Sequence, residues 1–162
     1  MLKRFSLILL AALLAGCFAA QAAGPRPDKD PENRTERELA KVEGWIEEGK
    51  YGRSVRVLNG LIEREPENAD AYNLLGYVHR KMGNLDDSAR YYKQALVLDP
   101  DHKGALEYQG ELFLKQNKPD KAKGNLERLE ALCPDGCEER DELAAAIAAH
   151  EKGEKPKRKS RW

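Results

Sequence analysis

Apolar and small residues recur along the chain at positions i, i+3, i+4 and i+7, which is the spacing of one face of an α-helix. The middle of the chain shows this pattern best, because Tyr72, Leu75, Gly76 and His79 fall on one stripe. A second apolar stripe follows Gly83, and glycine commonly ends a helix because it adopts the left-handed conformation at no steric cost. The pattern therefore predicts two helices joined by a tight turn.

This helical pair recurs with a period of 34 residues. The clearest marker is proline, which stands at positions 66, 100 and 134. Other positions keep the same spacing, and they form the series Gly49, Gly83 and Asn117, the series Trp45, His79 and Phe113, and the series Leu58, Tyr92 and Leu126. A fixed period of this length indicates stacked helical units, each burying its apolar side against the next.

The clearest copy of the period spans residues 69–100 and resembles the tetratricopeptide repeat family, whose pattern is W-x2-L-G-x2-Y, then A-x3-F, then P. Tyr72 takes the place of the tryptophan, and Leu75 and Gly76 form the L-G pair. The copies before and after it are more degenerate but in register. The resemblance implies an all-α fold, namely a right-handed α-solenoid of three helix-turn-helix repeats with a C-terminal capping helix.

The last apolar stripe, which contains Leu143 and Ile147, is predicted to be this capping helix, because a solenoid needs a terminal element to cover its last repeat. The predicted segments are, in order, an export signal at 1–22 (1–16 in a lipoprotein), a linker at 23–34, repeats at 35–68, 69–102 and 103–136, the capping helix at 137–152, and a disordered basic tail at 153–162.

The N-terminus is predicted to be an export signal. It combines a short basic start, an apolar run of about a dozen residues and a small-residue exit, and it is too short to span a bilayer. Two cleavage patterns remain open. The sequence LAGC resembles a bacterial lipobox and would leave Cys17 lipidated, whereas AQA at 20–22 resembles an ordinary cleavage site. Either predicts a protein of the periplasm or cell envelope, and the first predicts a membrane anchor.

The charge balance excludes one class of partner. Lysine plus arginine equals aspartate plus glutamate at 28 each, whereas nucleic-acid-binding proteins normally carry a basic excess. We therefore expect no nucleic-acid partner.

Cys133 and Cys137 flank the sequence PDG between the third repeat and the capping helix. A redox C-x-x-C pair needs closer spacing and a strand-helix setting, and a structural zinc site needs four ligands. In an exported chain, a disulfide that joins the last repeat to its cap is the favoured interpretation.

Signals of catalysis are absent from the sequence, which has no G-x-S-x-G, no phosphate-binding glycine loop and no H-E-x-x-H. His79 occupies the repeat position held elsewhere by Trp45 and Phe113, so we predict that it packs. His102, at a repeat junction, and His150, at the end of the capping helix, have no obvious partner. These observations predict a non-enzymatic protein without a cofactor or a metal.

The resemblance implies that a concave surface, lined by the first helix of each repeat, binds a peptide or partner segment. On this sequence that surface holds Leu39, Glu43, Ile46, Asn73, Tyr77, Arg80, Glu107, Glu111 and Leu114. One subset of the family grips C-terminal carboxylates, but the three glutamates here do not suit that activity. We expect instead a segment with basic residues beside an apolar anchor, and we expect Tyr77 to offer an aromatic platform.

A structural role is the alternative. In that case the chain would be an envelope scaffold or a lipoprotein accessory that makes its contacts through the convex side or the basic tail. The tail itself fits either binding to anionic head groups or a solubilising end.

Overall fold

Residues 31–154 are described by a computed structural model, and this part of the chain contains helices and turns but no strand. The helices are α1 (Pro31–Glu47), α2 (Tyr51–Arg64), α3 (Ala69–Lys81), α4 (Leu85–Leu98), α5 (Lys103–Lys115), α6 (Pro119–Leu132) and α7 (Glu138–Glu151). The export signal, Cys17, most of the predicted linker and the last eight residues of the tail lie outside the described residues.

Consecutive helices pack as pairs, α1 with α2, α3 with α4 and α5 with α6, and each pair also contacts the next. The prediction of an all-α solenoid is confirmed. One boundary differs from the predicted one, because α1 begins at Pro31, within the linker predicted to run to residue 34. Proline is well tolerated at the first position of a helix, where its missing N–H has no partner to lose. Over residues 31–154, no helix has the length and apolarity needed to cross a membrane.

The turn inside each repeat depends on a residue with positive φ. Gly49, Gly83 and Asn117 have φ of 72°, 85° and 55°, respectively. Glycine adopts this left-handed conformation readily, and asparagine is the usual substitute. The predicted helix end at Gly83 is therefore confirmed, Asn117 takes the equivalent turn position of its repeat, and the 34-residue period fixes where the chain reverses.

Two glycines mark close approaches between helices. A Cβ atom added to Gly76 would lie 2.6 Å from the Tyr92 ring, and one added to Gly110 would lie 2.6 Å from a Leu143 methyl carbon. Gly76 thus faces the paired helix α4, whereas Gly110 faces α7. Side chains cannot approach this closely without a shift in the packing, so both positions require glycine.

Helix α7 covers the end of the last repeat. It packs against α5 and α6 and buries Leu143, Ala146 and Ile147. Ile147 lies 34 residues after Phe113, so α7 continues the period as the first helix of a further repeat would.

The core consists of two apolar clusters, and α5 belongs to both. Its residues Tyr108 and Leu112 pack in the first cluster with α1 to α4, while Leu106 and Leu114 pack in the second with α6 and α7. The side chains of α5 therefore connect the two halves of the molecule.

The predicted disulfide is present. Cys133 and Cys137 are joined by an S–S bond of 2.04 Å, with a Cα–Cα distance of 5.9 Å. Cys133 is the C-cap residue of α6 and Cys137 the N-cap residue of α7. Arg140 braces the same turn, because its guanidinium donates to the carbonyl oxygens of Cys133 and Pro134 at 3.4 and 3.3 Å. The disulfide and Arg140 together fix where α7 starts.

Candidate protein-binding surface

The nine residues predicted for the binding surface all lie on α1, α3 and α5, and they are called the inner face below. The structure buries most of them inside the protein. Leu39 and Glu43 remain half-buried, and the others are buried, namely Ile46, Asn73, Tyr77, Arg80, Glu107, Glu111 and Leu114.

The centre of the inner face is filled by packed aromatic side chains. Only 1% of Tyr77 is exposed, and its ring lies 5.0 Å from the ring of Tyr108, between centroids. The Arg80 guanidinium lies over both rings, at 5.2 and 5.6 Å from their centroids. The expectation that Tyr77 offers an aromatic platform to a ligand is therefore corrected. The reason is that the next repeat supplies Tyr108, which covers it.

Arg80 also forms a buried ion pair. Its Nη1 atom lies 2.5 Å from Oε2 of Glu111, and the two side chains are 5% and 10% exposed. Burial lowers the pKa of Arg80, but Tyr92 and Glu111 raise it by more, so the guanidinium stays cationic. For the Tyr92 phenol, burial acts in the other direction and raises the pKa to about 12, although the neighbouring Arg80 opposes the rise. The cation is thus held by groups of the protein itself.

A pocket of about 320 Å³ opens beside this ion pair, at the C-terminal ends of three helices. It is called the C-terminal pocket, and it is lined by Arg80, Lys81, Glu111, Leu114, Lys115, Ala146, His150 and Glu154. Basic and acidic groups are mixed here, and the most buried of them, Arg80 and Glu111, bind each other.

A second pocket, of about 280 Å³, opens at the other end of the inner face, and it is called the N-terminal pocket. Its lining comes from four parts of the chain, namely α1, α3, the start of α5 with its N-cap, and the start of α7. The lining residues are Leu39, Glu43, Asp70, Asn73, Leu74, His102, Gly104, Tyr108 and Glu139. Three of these carry carboxyl groups, and His102 is the one basic side chain among them.

His102 and Asp70 form a contact across the rim of the N-terminal pocket. His102 is the N-cap residue of α5, and its Nδ1 accepts the backbone N–H of Ala105 at 3.3 Å. Its Nε2 lies 3.0 Å from Oδ1 of Asp70. The hydrogen bond from His102 lowers the pKa of Asp70. The expectation that His102 has no partner is thus wrong, because stacking α3 against α5 brings Asp70 to it.

Among the described residues, two other groups in the N-terminal pocket have no compensating charge or hydrogen bond. Burial raises the pKa of Glu43, and the nearby carboxylates of Asp70 and Glu47 raise it further. Asn73 is only 7% exposed, and its side-chain oxygen Oδ1 is buried without a hydrogen-bond partner. Buried polar atoms are normally hydrogen-bonded, so an unpaired one calls for an explanation.

Residues 31–154 contain no cluster of three or more histidine, cysteine, aspartate or glutamate side chains arranged to hold a metal ion. His79 packs with its ring 5.1 Å from that of Tyr91, and its Nδ1 lies 3.6 Å from Asp87. Burial lowers the pKa of His79. These contacts describe a packing side chain at the repeat position shared with Trp45 and Phe113.

Paired helices stacked in register, with a shared inner face, define an α-solenoid of the helical-repeat class. The chain belongs to the tetratricopeptide repeat family. Family models described as "Tetratricopeptide repeat" match residues 46–81, 69–102 and 105–136. The resemblance seen in the sequence is therefore confirmed.

Among curated proteins, the chain is similar to parts of much longer ones. It is 39% identical over 59 residues to the human protein O-mannosyl-transferase TMTC3, covering 36% of this chain and 6% of that protein. It is 26% identical over 111 residues to Protein FlbA of Caulobacter vibrioides, covering 68% of this chain and 19% of that protein. The chain thus spans less than a fifth of the length of the curated relatives it matches.

Among solved structures, the chain is similar to the type III secretion translocator chaperone SycD of Yersinia enterocolitica. The TM-score is 0.65 at 17% identity, covering 77% of this chain and 88% of that one. A second structure of SycD, in an alternative dimer, gives a TM-score of 0.63 at 18% identity, with 75% and 91% covered. At this identity the likeness shows the fold alone.

Several residues of the N-terminal pocket were missed by sequence reasoning, namely Asp70, His102, Tyr108 and Glu139. The 34-residue period contained a signal for one of them, His102. His102 lies 34 residues after Asn68, and both are N-cap residues whose side chains accept a backbone N–H three residues later. The others line the pocket through contacts between helices that the period alone does not predict.

Proposed function

We propose that this chain is a non-enzymatic protein-binding module, and that it binds a partner segment at the N-terminal pocket and the adjoining rim of the inner face. Membership of the tetratricopeptide repeat family supports a protein-binding role. So does the likeness in fold to SycD, a type III secretion translocator chaperone.

One observation carries the choice of surface. At the N-terminal pocket the carboxyl group of Glu43 has, among the described residues, no group of opposite sign that lowers its pKa, whereas the buried Arg80 of the C-terminal pocket is paired with Glu111. Glu43 and Leu39 are half-buried at the rim of the N-terminal pocket and Asp70 is exposed, and Asn73, which lines the pocket, has a buried side-chain oxygen without a hydrogen-bond partner among the described residues. The centre of the face, by contrast, is occupied by the packed rings of Tyr77 and Tyr108.

The proposal also places this module in a bacterial cell envelope. The support is the basic start, the short apolar run and the two cleavage patterns of the N-terminus, one of which would anchor the protein through a lipid on Cys17. Charge should mainly steer the encounter with the partner, so we expect binding to weaken as salt is added.

Site-specific photo-crosslinking in the native host tests the surface. A photoreactive residue replaces Leu39 on the rim of the inner face in one variant and Val97 in the other. Val97 is 63% exposed and lies on α4, away from the inner face. We expect the variant at 39 to crosslink a discrete partner and the variant at 97 to crosslink none. The reverse result would favour the scaffold that acts through the outer side, and no crosslink at either position would contradict the proposal.

A further inference from the structure

The N-terminal pocket contains acceptors of hydrogen bonds from three helices. Glu43 comes from α1, Asp70 and Asn73 come from α3, and Glu139 comes from the first turn of α7. Carboxylates accept hydrogen bonds and donate none while ionised. A guest that binds Glu43 and the oxygen of Asn73 must therefore bring donors, and a positive charge would suit the carboxylates best.

Asn73 is the strongest sign that a guest belongs there. Its exposed fraction is only 7%. It lines the pocket, and its side-chain oxygen Oδ1 has no hydrogen-bond partner among the described residues. An amide oxygen left unpaired in the interior destabilises the fold, because its hydrogen bonds to water are not replaced. A donor placed in the pocket would remove that destabilisation.

Gly104 keeps space for the Asn73 amide. A Cβ atom at Gly104 would lie 3.3 Å from Nδ2 of Asn73, which is tighter than ordinary van der Waals contact. Any larger residue at 104 would push this amide from its position. The start of α5 therefore accommodates the amide through a residue without a side chain.

The size of the pocket sets the size of the guest. Pockets for drug-sized ligands and cofactors have volumes of roughly 300–1,000 Å³, and this one, at about 280 Å³, lies just below that range. It suits one side chain rather than a cofactor. A metal ion is disfavoured, because the described residues contain no cluster of three or more ligands arranged for one.

The charges around the pocket agree with a cationic guest. Three carboxyl groups, those of Glu43, Asp70 and Glu139, line the pocket, and His102 is the basic side chain in the lining. Burial raises the pKa of Glu43, and the negative charges of Asp70 and Glu47 raise it further. A cation between these carboxylates would reverse that effect.

We infer that the N-terminal pocket is the receptor site for one basic side chain, a lysine or an arginine, of the partner segment, bound by Glu43, Asp70 and the amide oxygen of Asn73. This inference rests on the proposed function and adds the chemistry by which that surface selects its partner. The specificity determinant is a buried acceptor of hydrogen bonds beside two carboxylates, with His102 orienting Asp70.

Titrations followed by NMR test the inference on the full chain without knowledge of the partner. The probes are N-acetyl-lysine amide and N-acetyl-arginine amide, with N-acetyl-norleucine amide as the uncharged control. We expect at least one basic probe to shift the Asn73 side-chain amide and the Gly104 backbone amide in a saturable way, with no such shifts from norleucine. Shifts of equal size from norleucine, or none from either basic probe, would overturn the inference.

Variants locate the binding. Glu43→Gln and Asn73→Leu should each weaken the basic probe about tenfold, because the first removes a negative charge beside the cation and the second removes an accepting oxygen. Glu36→Gln is the matched control, since Glu36 is exposed on the same helix and lies outside the pocket. Glu43→Gln keeps the test valid even where Asn73→Leu disturbs folding. Equal affinity in Glu43→Gln and Glu36→Gln would contradict the assignment.

Three further outcomes separate this inference from neighbouring ideas. Free lysine binding more tightly than its blocked amide would identify a free amino acid as the ligand and overturn the assignment to a partner segment. Crosslinking at position 39 without any response to basic probes would overturn this inference and leave the proposed function standing. Probe binding without crosslinking at position 39 would contradict the proposed function instead.

Discussion

The two ends of the inner face differ in whether a partly or fully buried charged group has a counter-charge from the protein. At the C-terminal end, Arg80 and Glu111 form a buried ion pair, and the cation is further held over two tyrosine rings. At the N-terminal end, Glu43 lies near other carboxylates, and its pKa is raised. The first end pairs its buried cation with a carboxylate of the protein, whereas the second contains carboxyl groups that we propose a partner's cation would satisfy.

The difference arises although both ends use equivalent repeat positions. Glu43, Tyr77 and Glu111 are spaced 34 residues apart, so each occupies the same place on the first helix of its repeat. Only Glu111 has an arginine from the preceding repeat beside it. The position in the repeat thus decides where a side chain lies, and the neighbouring repeat decides whether it packs internally or remains available.

The largest effect should come from breaking the ion pair at the C-terminal end. Glu111→Gln leaves the Arg80 cation without its counter-charge in the interior, which typically costs about 3–5 kcal/mol of the free energy of unfolding. The measurement is urea unfolding followed by circular dichroism. By contrast, Glu43→Gln at the other end should change stability by only a few tenths of a kcal/mol.

The double variant Arg80→Met/Glu111→Leu is the control for this prediction. It removes both charges and leaves apolar groups of similar size, so it should recover most of the lost stability. A double variant as unstable as Glu111→Gln would show that the ion pair is not the cause. A loss in Glu111→Gln as small as that in Glu43→Gln would remove the contrast between the two ends.

The next effect should come from the disulfide. The double variant Cys133→Ser/Cys137→Ser should lose about 2 kcal/mol by the chain-entropy estimate for so short a loop. Because Cys137 precedes α7 and Glu139 lies in its first turn, amide resonances around the N-terminal pocket should shift more than those around Arg80. Unfolding curves and two-dimensional NMR spectra of both proteins provide the measurement. Equal shifts at both ends would show that the disulfide does not act on the N-terminal pocket in particular.

The smallest effect should be a pH dependence of opposite sign at two acids of the N-terminal pocket. The lowered pKa of Asp70 means that its contribution to stability is present above its usual 3.8 and is lost as the pH falls through the lowered value. The raised pKa of Glu43 means the reverse, since its ionisation destabilises the fold as the pH rises above its usual 4.5.

Single variants separate these two contributions. At pH 7, Asp70→Asn should lower the free energy of unfolding in urea and Glu43→Gln should raise it, each by a few tenths of a kcal/mol because both side chains are partly exposed to water. Both differences should shrink near pH 3. Changes of the same sign at pH 7 would contradict the opposite electrostatic roles of the two carboxylates.

The fold followed from the sequence because its determinants are local and periodic. The predicted turn residues Gly83 and Asn117 have positive φ, and Pro119 lies in the first turn of α6. The disulfide could be predicted for the same reason, since its cysteines flank one short turn. Helical spacing and turn chemistry contain this information within about one repeat length.

Which residues of the inner face are exposed and which are covered could not be predicted from the sequence in the same way. Helical spacing put Tyr77 on the correct helix, but it did not show that Tyr108 from the next repeat would cover its ring. The contact of His102 with Asp70 spans 32 residues, and the ion pair of Arg80 spans 31. Such contacts depend on how one repeat is stacked on the next, and the pattern within a single helix does not determine that.

Helix α5 has a consequence for how the molecule unfolds. In repeat proteins, stability is approximately a sum of the repeats and their interfaces, so the ends can unravel one unit at a time. Here α5 supplies Tyr108 and Leu112 to one apolar cluster and Leu106 and Leu114 to the other. Losing α5 would expose both clusters at once. The chain should therefore melt in one cooperative transition, with the amide hydrogens of α5 among the last to exchange with solvent.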